Sequence, residues 1–456
     1  MRSSKRWSVR LGAVTAMVCT VGLFLPLASQ TASAVALTST AGAYHPLTPA
    51  RVTDTRANSG SPNSGKPLGP TGTVTVDMSA AVPATATAVS LSVTVVDGTN
   101  NGVLTVYPTN QIPLTPTSVI NYVPGVPYCS ATPDCTVPNL VISKVNGGKV
   151  TVANGSASGT VNVVVDLEGY FDPTDATTTN AGHYNAMAPA RIADTRCAAT
   201  PSPPICAAEN LPGPSSPKLA PGGTLDVSPF GVDTSTLGIS AVVVQLTATD
   251  TTADGFLTAF PGEQTTPPNT SNVNFTRGQT TSTRAIVKLD PTHGDFKVFN
   301  PLGSTNVVVD LVGFFTDGTS GSATDGSLYT PIVPTRLTDT RTDAGALGPN
   351  TSTTFPVAGM NGIPAQTSTG PSAAVLNVTE ASATAPGFLA VTPDTQSPPP
   401  TTSDVNFSTN EIRANTDVAE LGSPDGTVSL YNSAGTTQVA IDAFGYFTAA
   451  PAQRTS

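Results

Sequence analysis

The chain is short of charge. Only 11% of its 456 residues are Asp, Glu, Lys or Arg, less than half the usual share. It holds three histidines, five cysteines and a single tryptophan, Trp7. Each scarcity excludes something. No HExxH pattern, Gly-rich phosphate loop or Gly-x-Ser-x-Gly elbow occurs, and His45, His183 and His293 fall at non-equivalent places. Each histidine reads as a surface or turn residue. With Trp7 in the N-terminal segment, the body of the chain lacks the ring that most often stacks on sugars; Tyr107, Tyr122 and Phe275 are the remaining stacking candidates. Outside the N-terminus no apolar run reaches spanning length, which predicts no membrane span in the mature chain. No stretch sustains a 3.6-residue apolar period, so long helices are not expected.

The N-terminus carries the one long apolar run. Arg2, Lys5, Arg6 and Arg10 precede Leu11 to Leu27, and Ala32-Ser33-Ala34 offers small residues for cleavage. Residues 1–34 therefore read as a signal peptide. Their removal takes four of the 20 basic residues and none of the 30 acidic ones, leaving a net charge of −14. That balance argues against nucleic acid or anionic lipid as partners. An extracellular location suits disulfides, and Cys129–Cys135 and Cys197–Cys206 are the expected pairs, with a zinc site as the alternative. No cofactor is expected.

What the chain has is repetition. Three copies open on a tyrosine followed by Pro-x-Arg-x-x-Asp-Thr-Arg: YHPLTPARVTDTR from Tyr44, YNAMAPARIADTR from Tyr184 and YTPIVPTRLTDTR from Tyr329. They close on VNVVVDLEGYF (Val161 to Phe171), TNVVVDLVGFF (Thr305 to Phe315) and TQVAIDAFGYF (Thr437 to Phe447). Inside each copy come an AVSLSVTVV-like run, a GFLTAFP-like run and a TSNVNF-like run. The segments are four to nine residues long, rich in Val, Thr and aromatics, and punctuated by Gly, Pro and Asn. The predicted fold is all-β: three tandem antiparallel β-sandwich modules at 44–171, 184–315 and 329–447, with a barrel as the alternative. The segments 172–183 and 316–328 read as flexible polar linkers joining three beads, with a packed three-module assembly as the alternative.

In a chain so poor in charge, the charges that recur are informative. Alternation along the opening strand places Val52, Asp54 and Arg56 on one face, with Asp194 and Arg196, and Asp339 and Arg341, as counterparts. On the closing strand Asp166, Asp310 and Asp442 stand among apolar neighbours on a strand whose two faces both read as buried. A charge there needs a partner. Arg51 or Arg56 is expected to reach Asp166, Arg191 or Arg196 to reach Asp310, and Arg336 or Arg341 to reach Asp442, as structural ion pairs. The competing reading makes them a ligand site, for calcium or an acidic sugar. Asn121, Asn274 and Asn406 are expected to satisfy backbone groups at strand ends.

PARVTDTR, PARIADTR and PTRLTDTR, with their VVVDLEGYF-type closings and TSNVNF-type interiors, resemble a repeat common in secreted and cell-surface proteins of actinobacteria. The resemblance spans nearly all of Tyr44 to Phe447. It implies export and an accessory or binding role. The cysteine-bearing insertions in copies one and two depart from the pattern. The expected function is a non-enzymatic extracellular protein acting in surface association or adhesion, with cell-wall polymer or polysaccharide as the candidate partner. A structural spacer or coat protein, and an unrecognised hydrolase with a carboxylate pair, are the alternatives.

Overall fold

In the computed structural model the described residues are 41–113, 115–124, 136–174, 180–198, 217–231, 237–319, 326–395 and 399–449. The expected signal peptide lies outside them. The chain divides into two units, Met1–Thr38 and Ser39–Ser456, and every described strand belongs to the second.

The Val- and Thr-rich runs are strands. In the first module they are β1 (Ala43–Asp54), β2 (Thr73–Asp77), β3 (Ala88–Val96), β4 (Gly102–Pro108), β5 (Ile120–Tyr122), β6 (Val137–Lys144), β7 (Lys149–Asn154) and β8 (Asn162–Asp172). They form two four-stranded antiparallel sheets, β1-β8-β3-β6 and β2-β7-β4-β5. That interleaving is a jelly roll, a sandwich rather than a barrel. The second module repeats it with β9 (Ala181–Asp194), β10 (Gly223–Val227), β11 (Ile239–Thr249), β12 (Gly255–Pro261), β13 (Val273–Phe275), β14 (Thr281–Lys288), β15 (Phe296–Asn300) and β16 (Asn306–Asp317). The third does so with β17 (Ser327–Asp339), β18 (Thr351–Pro356), β19 (Pro371–Ala381), β20 (Gly387–Thr392), β21 (Val405–Phe407), β22 (Ile412–Glu420), β23 (Thr427–Asn432) and β24 (Gln438–Ala449).

The two sheets of a module differ in their burial. The outer strand β2 alternates exposed and buried residues, as a half-solvated strand should. The inner strand β3 is buried at every position, and β8 is nearly so. One face of each inner sheet packs on its own module's core. The other is covered by the neighbouring modules, because the three inner sheets meet around a common centre.

This arrangement differs from three beads on flexible strings. The ends of both expected linkers are strand: Asp172 belongs to β8, Ala181–His183 to β9, Thr316–Asp317 to β16 and Ser327–Leu328 to β17. Ser327 pairs with Tyr184 and so joins the inner sheets of modules two and three into one eight-stranded sheet. Gly42 and Tyr329 exchange backbone hydrogen bonds of 2.8 and 3.1 Å, tying module one to module three. A Cβ on Gly182 would lie 2.3 Å from the Tyr44 carbonyl oxygen. The glycine there permits the crossing of two chain segments.

At the centre the motif tyrosines and phenylalanines form a closed ring of six. Tyr44 packs on Phe171 of its own module at 4.9 Å and on Phe315 of the second at 4.4 Å. Tyr184 packs on Phe315 at 5.2 Å and on Phe447 of the third at 4.6 Å. Tyr329 packs on Phe447 at 5.0 Å and returns to Phe171 at 4.6 Å. The three modules are thus related by a pseudo-threefold axis. Pairs of this kind add about 0.5–1.5 kcal/mol each beyond area burial.

The glycine of the closing motif follows from this ring. A Cβ on Gly169, Gly313 or Gly445 would lie 2.3, 2.4 or 2.4 Å from the hydroxyl of Tyr44, Tyr184 or Tyr329. Gly313→Ala should therefore displace Tyr184 and cost about 1–3 kcal/mol, as overpacking does. A fall in the thermal midpoint checks this, and an unchanged midpoint excludes the packing constraint.

One histidine reading changes. His293 is largely exposed beside Asp290, as expected, whereas His183 is buried at 2% exposure, on β9 where modules meet. Among the cysteines only Cys197 is described, and it is disulfide-bonded. Both expected pairings, Cys129–Cys135 and Cys197–Cys206, involve residues outside the described ones. Among the described residues no helix is long and apolar enough to cross a membrane.

Candidate functional site

The recurring charges form a clasp in each module. Arg51 lies directly opposite Asp166 across the β1–β8 ladder, Arg191 opposite Asp310, and Arg336 opposite Asp442. Arg51 donates from Nε at 2.8 Å and Nη2 at 3.1 Å to the two Asp166 oxygens. Arg191 does the same to Asp310 at 2.8 and 3.3 Å. Arg336 forks onto Asp442 through the same two nitrogens. The first arginine of each motif therefore makes the cross-strand pair. The second turns back on its own strand: Arg56 donates to both oxygens of Asp54, at 3.0 and 2.7 Å. Arg196 and Arg341 hold Asp194 and Asp339 in the same way.

The division has a local cause. Ladder register shifts between Arg51 and Thr53, so simple alternation fails there. The backbone then ends in a turn in which Asp54 Oδ1 accepts the Arg56 N–H at 3.0 Å. Thr55 closes the corner, its hydroxyl accepting the Val163 N–H at 2.8 Å. Thr195 and Thr340 do the same for Val307 and Val439.

The two aspartates sit in different fields. Burial pushes the Asp54 carboxyl up, but hydrogen bonds from Arg56, with the charges of Arg56 and Arg51, outweigh it and hold the group below the ordinary carboxylate range. Deeper burial pushes Asp166, Asp310 and Asp442 upward despite their arginine partners. In a double-mutant cycle, Arg51→Met and Asp166→Asn should show coupling of about 0.5–3 kcal/mol. Strictly additive losses on denaturation would exclude the pairing.

The far side of each clasp faces the next module, and the TSNVNF-like segments meet it there. The Ser118 N–H of module one donates to Asp442 of module three at 3.0 Å, and the Ser271 N–H of module two bonds Asp166 of module one. Around these contacts the three junctions are unlike. Between modules one and two, Ser92 donates to the Ser271 carbonyl at 2.9 Å and Asn272 to the buried Glu168 at 2.9 Å. Between three and one, Asn139 bonds Asn377 at 3.0 Å. Between two and three, Arg284 of β14 is fully buried and its Nη2 binds both Asp404, at 2.6 Å, and Asp417.

These segments are legible in the sequence as recurrent, but not as interface. Asn406 donates at 2.8 Å to Ser282 of another module, not to a strand end. Nothing in the spacing of the segments says which module they touch.

The exposed parts of the clasps open onto a groove. Arg51, Asp54, Arg56, Ala57, residues 59–62 and Asn269 of module two line a cleft of about 560 Å³. An adjoining recess of about 210 Å³ shares Arg51, Arg56 and Asn269 and adds Thr94, Phe256, Thr270, Ser271 and Asn274. The groove thus runs along the junction of modules one and two. At the next junction the cleft is more closed: Arg191 donates to the Thr401 carbonyl at 3.4 Å, and its side chain is 8% exposed against 20% for Arg51. Tyr107, Tyr122 and Phe275 do not serve as stacking platforms, being buried in their module cores. Both carboxylates near the groove, Asp54 and Asp166, are occupied by guanidinium groups. Among the described residues no group of three or more His, Cys, Asp or Glu could hold a metal ion.

No family model and no curated protein matches this chain. A solved structure described as "The Triple Jelly Roll Fold and Turret Assembly in an Archaeal Virus" aligns over 90% of this chain and 91% of its own, with 9% identity and a TM-score of 0.16. That likeness is too distant to bear on function.

Proposed function

We infer that the chain is a non-enzymatic, secreted surface-association protein that binds a wall polymer or polysaccharide. The observation that supports this is the junction groove: open, polar, and lined by a carboxylate, Asp54, both of whose oxygens are already held by arginine. A glycoside hydrolase needs one free carboxyl as acid and a second as base or nucleophile, and the groove offers neither. The disulfides expected in copies one and two fit an exported chain. The repeat resemblance to actinobacterial surface proteins points the same way.

Retention of the full-length mature chain on purified Gram-positive cell wall and on insoluble polysaccharide tests the reading. Retention released by soluble polymer is expected. Failure to be retained on any of them would overturn it in favour of a structural coat or spacer role, which the compact three-module block also suits.

A further inference from the structure

We propose that the groove between modules one and two is the binding site, and that its ligand is a neutral, hydroxyl-rich glycan rather than an acidic one. This rests on the surface-association reading and narrows it to one junction and one ligand chemistry.

Charge comes first. Two arginines, Arg51 and Arg56, face two aspartates, Asp54 and Asp166, in paired forks. The formal charge of the cluster is zero. An anionic polymer would gain little from guanidinium groups already neutralised at 2.7–3.1 Å, and it would meet a chain whose net charge without residues 1–34 is −14. The pairing instead fixes the orientation of Arg56, whose side chain is 43% exposed. Its remaining N–H groups become pre-set donors for hydroxyl and ring oxygens.

Unsatisfied groups come second. Thr94 and Thr270 are 3% and 6% exposed, and both line the recess. Neither Oγ1 has a hydrogen-bond partner among the described residues. The Ser61 Oγ in the outer cleft is also unpartnered. Orphaned buried hydroxyls are costly and call for an explanation. A hydroxyl both donates and accepts, so three of them match a partner that does the same. Phe256, partly exposed at the recess, supplies an apolar face for a sugar ring, and Asn269, also of module two, supplies an amide.

The test is calorimetric titration of the full mature chain with mannohexaose and cellohexaose as neutral probes and oligogalacturonate as the acidic one, at low and high salt. Binding of a neutral probe that is insensitive to salt is expected. Asn269→Ala and Thr94→Val should each weaken it about tenfold. Thr94→Val removes an unsatisfied buried hydroxyl without changing shape, so its thermal midpoint should hold or rise. Binding only of the acidic probe, lost at high salt, would overturn the ligand class. Wall retention with full strength in both variants would overturn the site while leaving the surface-association reading standing. Loss of wall retention together with no probe binding would overturn both.

Discussion

Arg284→Leu should destabilise the protein by about 3–5 kcal/mol, because it strands two buried carboxylates. Arg284 is fully buried and its Nη2 serves both Asp404 and Asp417. Burial drives both carboxyls upward, with the Asp417 charge raising Asp404 further and Arg284 opposing, so that Asp404 stands at about 7. The other modules show what the position tolerates. The strand register sets Arg284 opposite Gln245, and Leu140 opposite the corresponding Ser92. Asp417 corresponds likewise to Val141, and Asp404 to Asn272 in the TSNVNF run. The triple change Arg284→Leu, Asp404→Asn, Asp417→Val therefore installs residues that modules one and two already use. It should recover most of the lost stability, since replacing the whole buried ionic group by uncharged residues leaves no charge stranded. Urea unfolding of wild type, single and triple variants checks this. A triple variant no better than Arg284→Leu would mean that the ionic group itself holds the junction.

Stability should fall by several kcal/mol between about pH 4.5 and about pH 8. Glu168 is fully buried, and desolvation, with the Asp166 charge adding to it, raises its carboxyl to about 8. Glu380 is raised to about 8 by desolvation and by the Glu411 charge. Each of these carboxyls stays protonated in the folded chain at a pH where the unfolded chain has ionised it. Their contribution is complete below the ordinary carboxylate range and is lost as pH rises through the folded value. The turn-side aspartates of the clasps act oppositely: Asp54 and Asp339 are held low, so their contribution disappears only as pH falls below the usual range. The stability maximum is therefore expected on the mildly acidic side of neutrality. Denaturation midpoints at pH 5 and pH 9 check the direction, and Glu168→Gln with Glu380→Gln should flatten the slope. A wild-type midpoint higher at pH 9 would exclude the account.

The clasp shows how far local patterning reaches. That Asp166 is buried and needs an arginine follows from one charge on an otherwise apolar strand. Which arginine answers depends on a register shift one residue past Arg51, and period-two alternation carries no trace of it. His183 makes the same point. A histidine in a short polar linker reads as exposed, and only the crossing of β9 under its neighbours buries it.

The sequence by itself determined three copies, their β content, the set of recurring charges from which the clasps are built and the burial of both faces of the closing strand. It did so because strand periodicity and scarce recurring charges are local signals, printed three times. What covers the second face was decided only by the tertiary structure. The ring of six aromatics, the serine N–H groups that reach a neighbour's clasp, the Arg284 junction and the groove at modules one and two all join residues far apart in the chain. Alternation says that a side chain is buried, but the buried partner is chosen by how whole modules close around an axis.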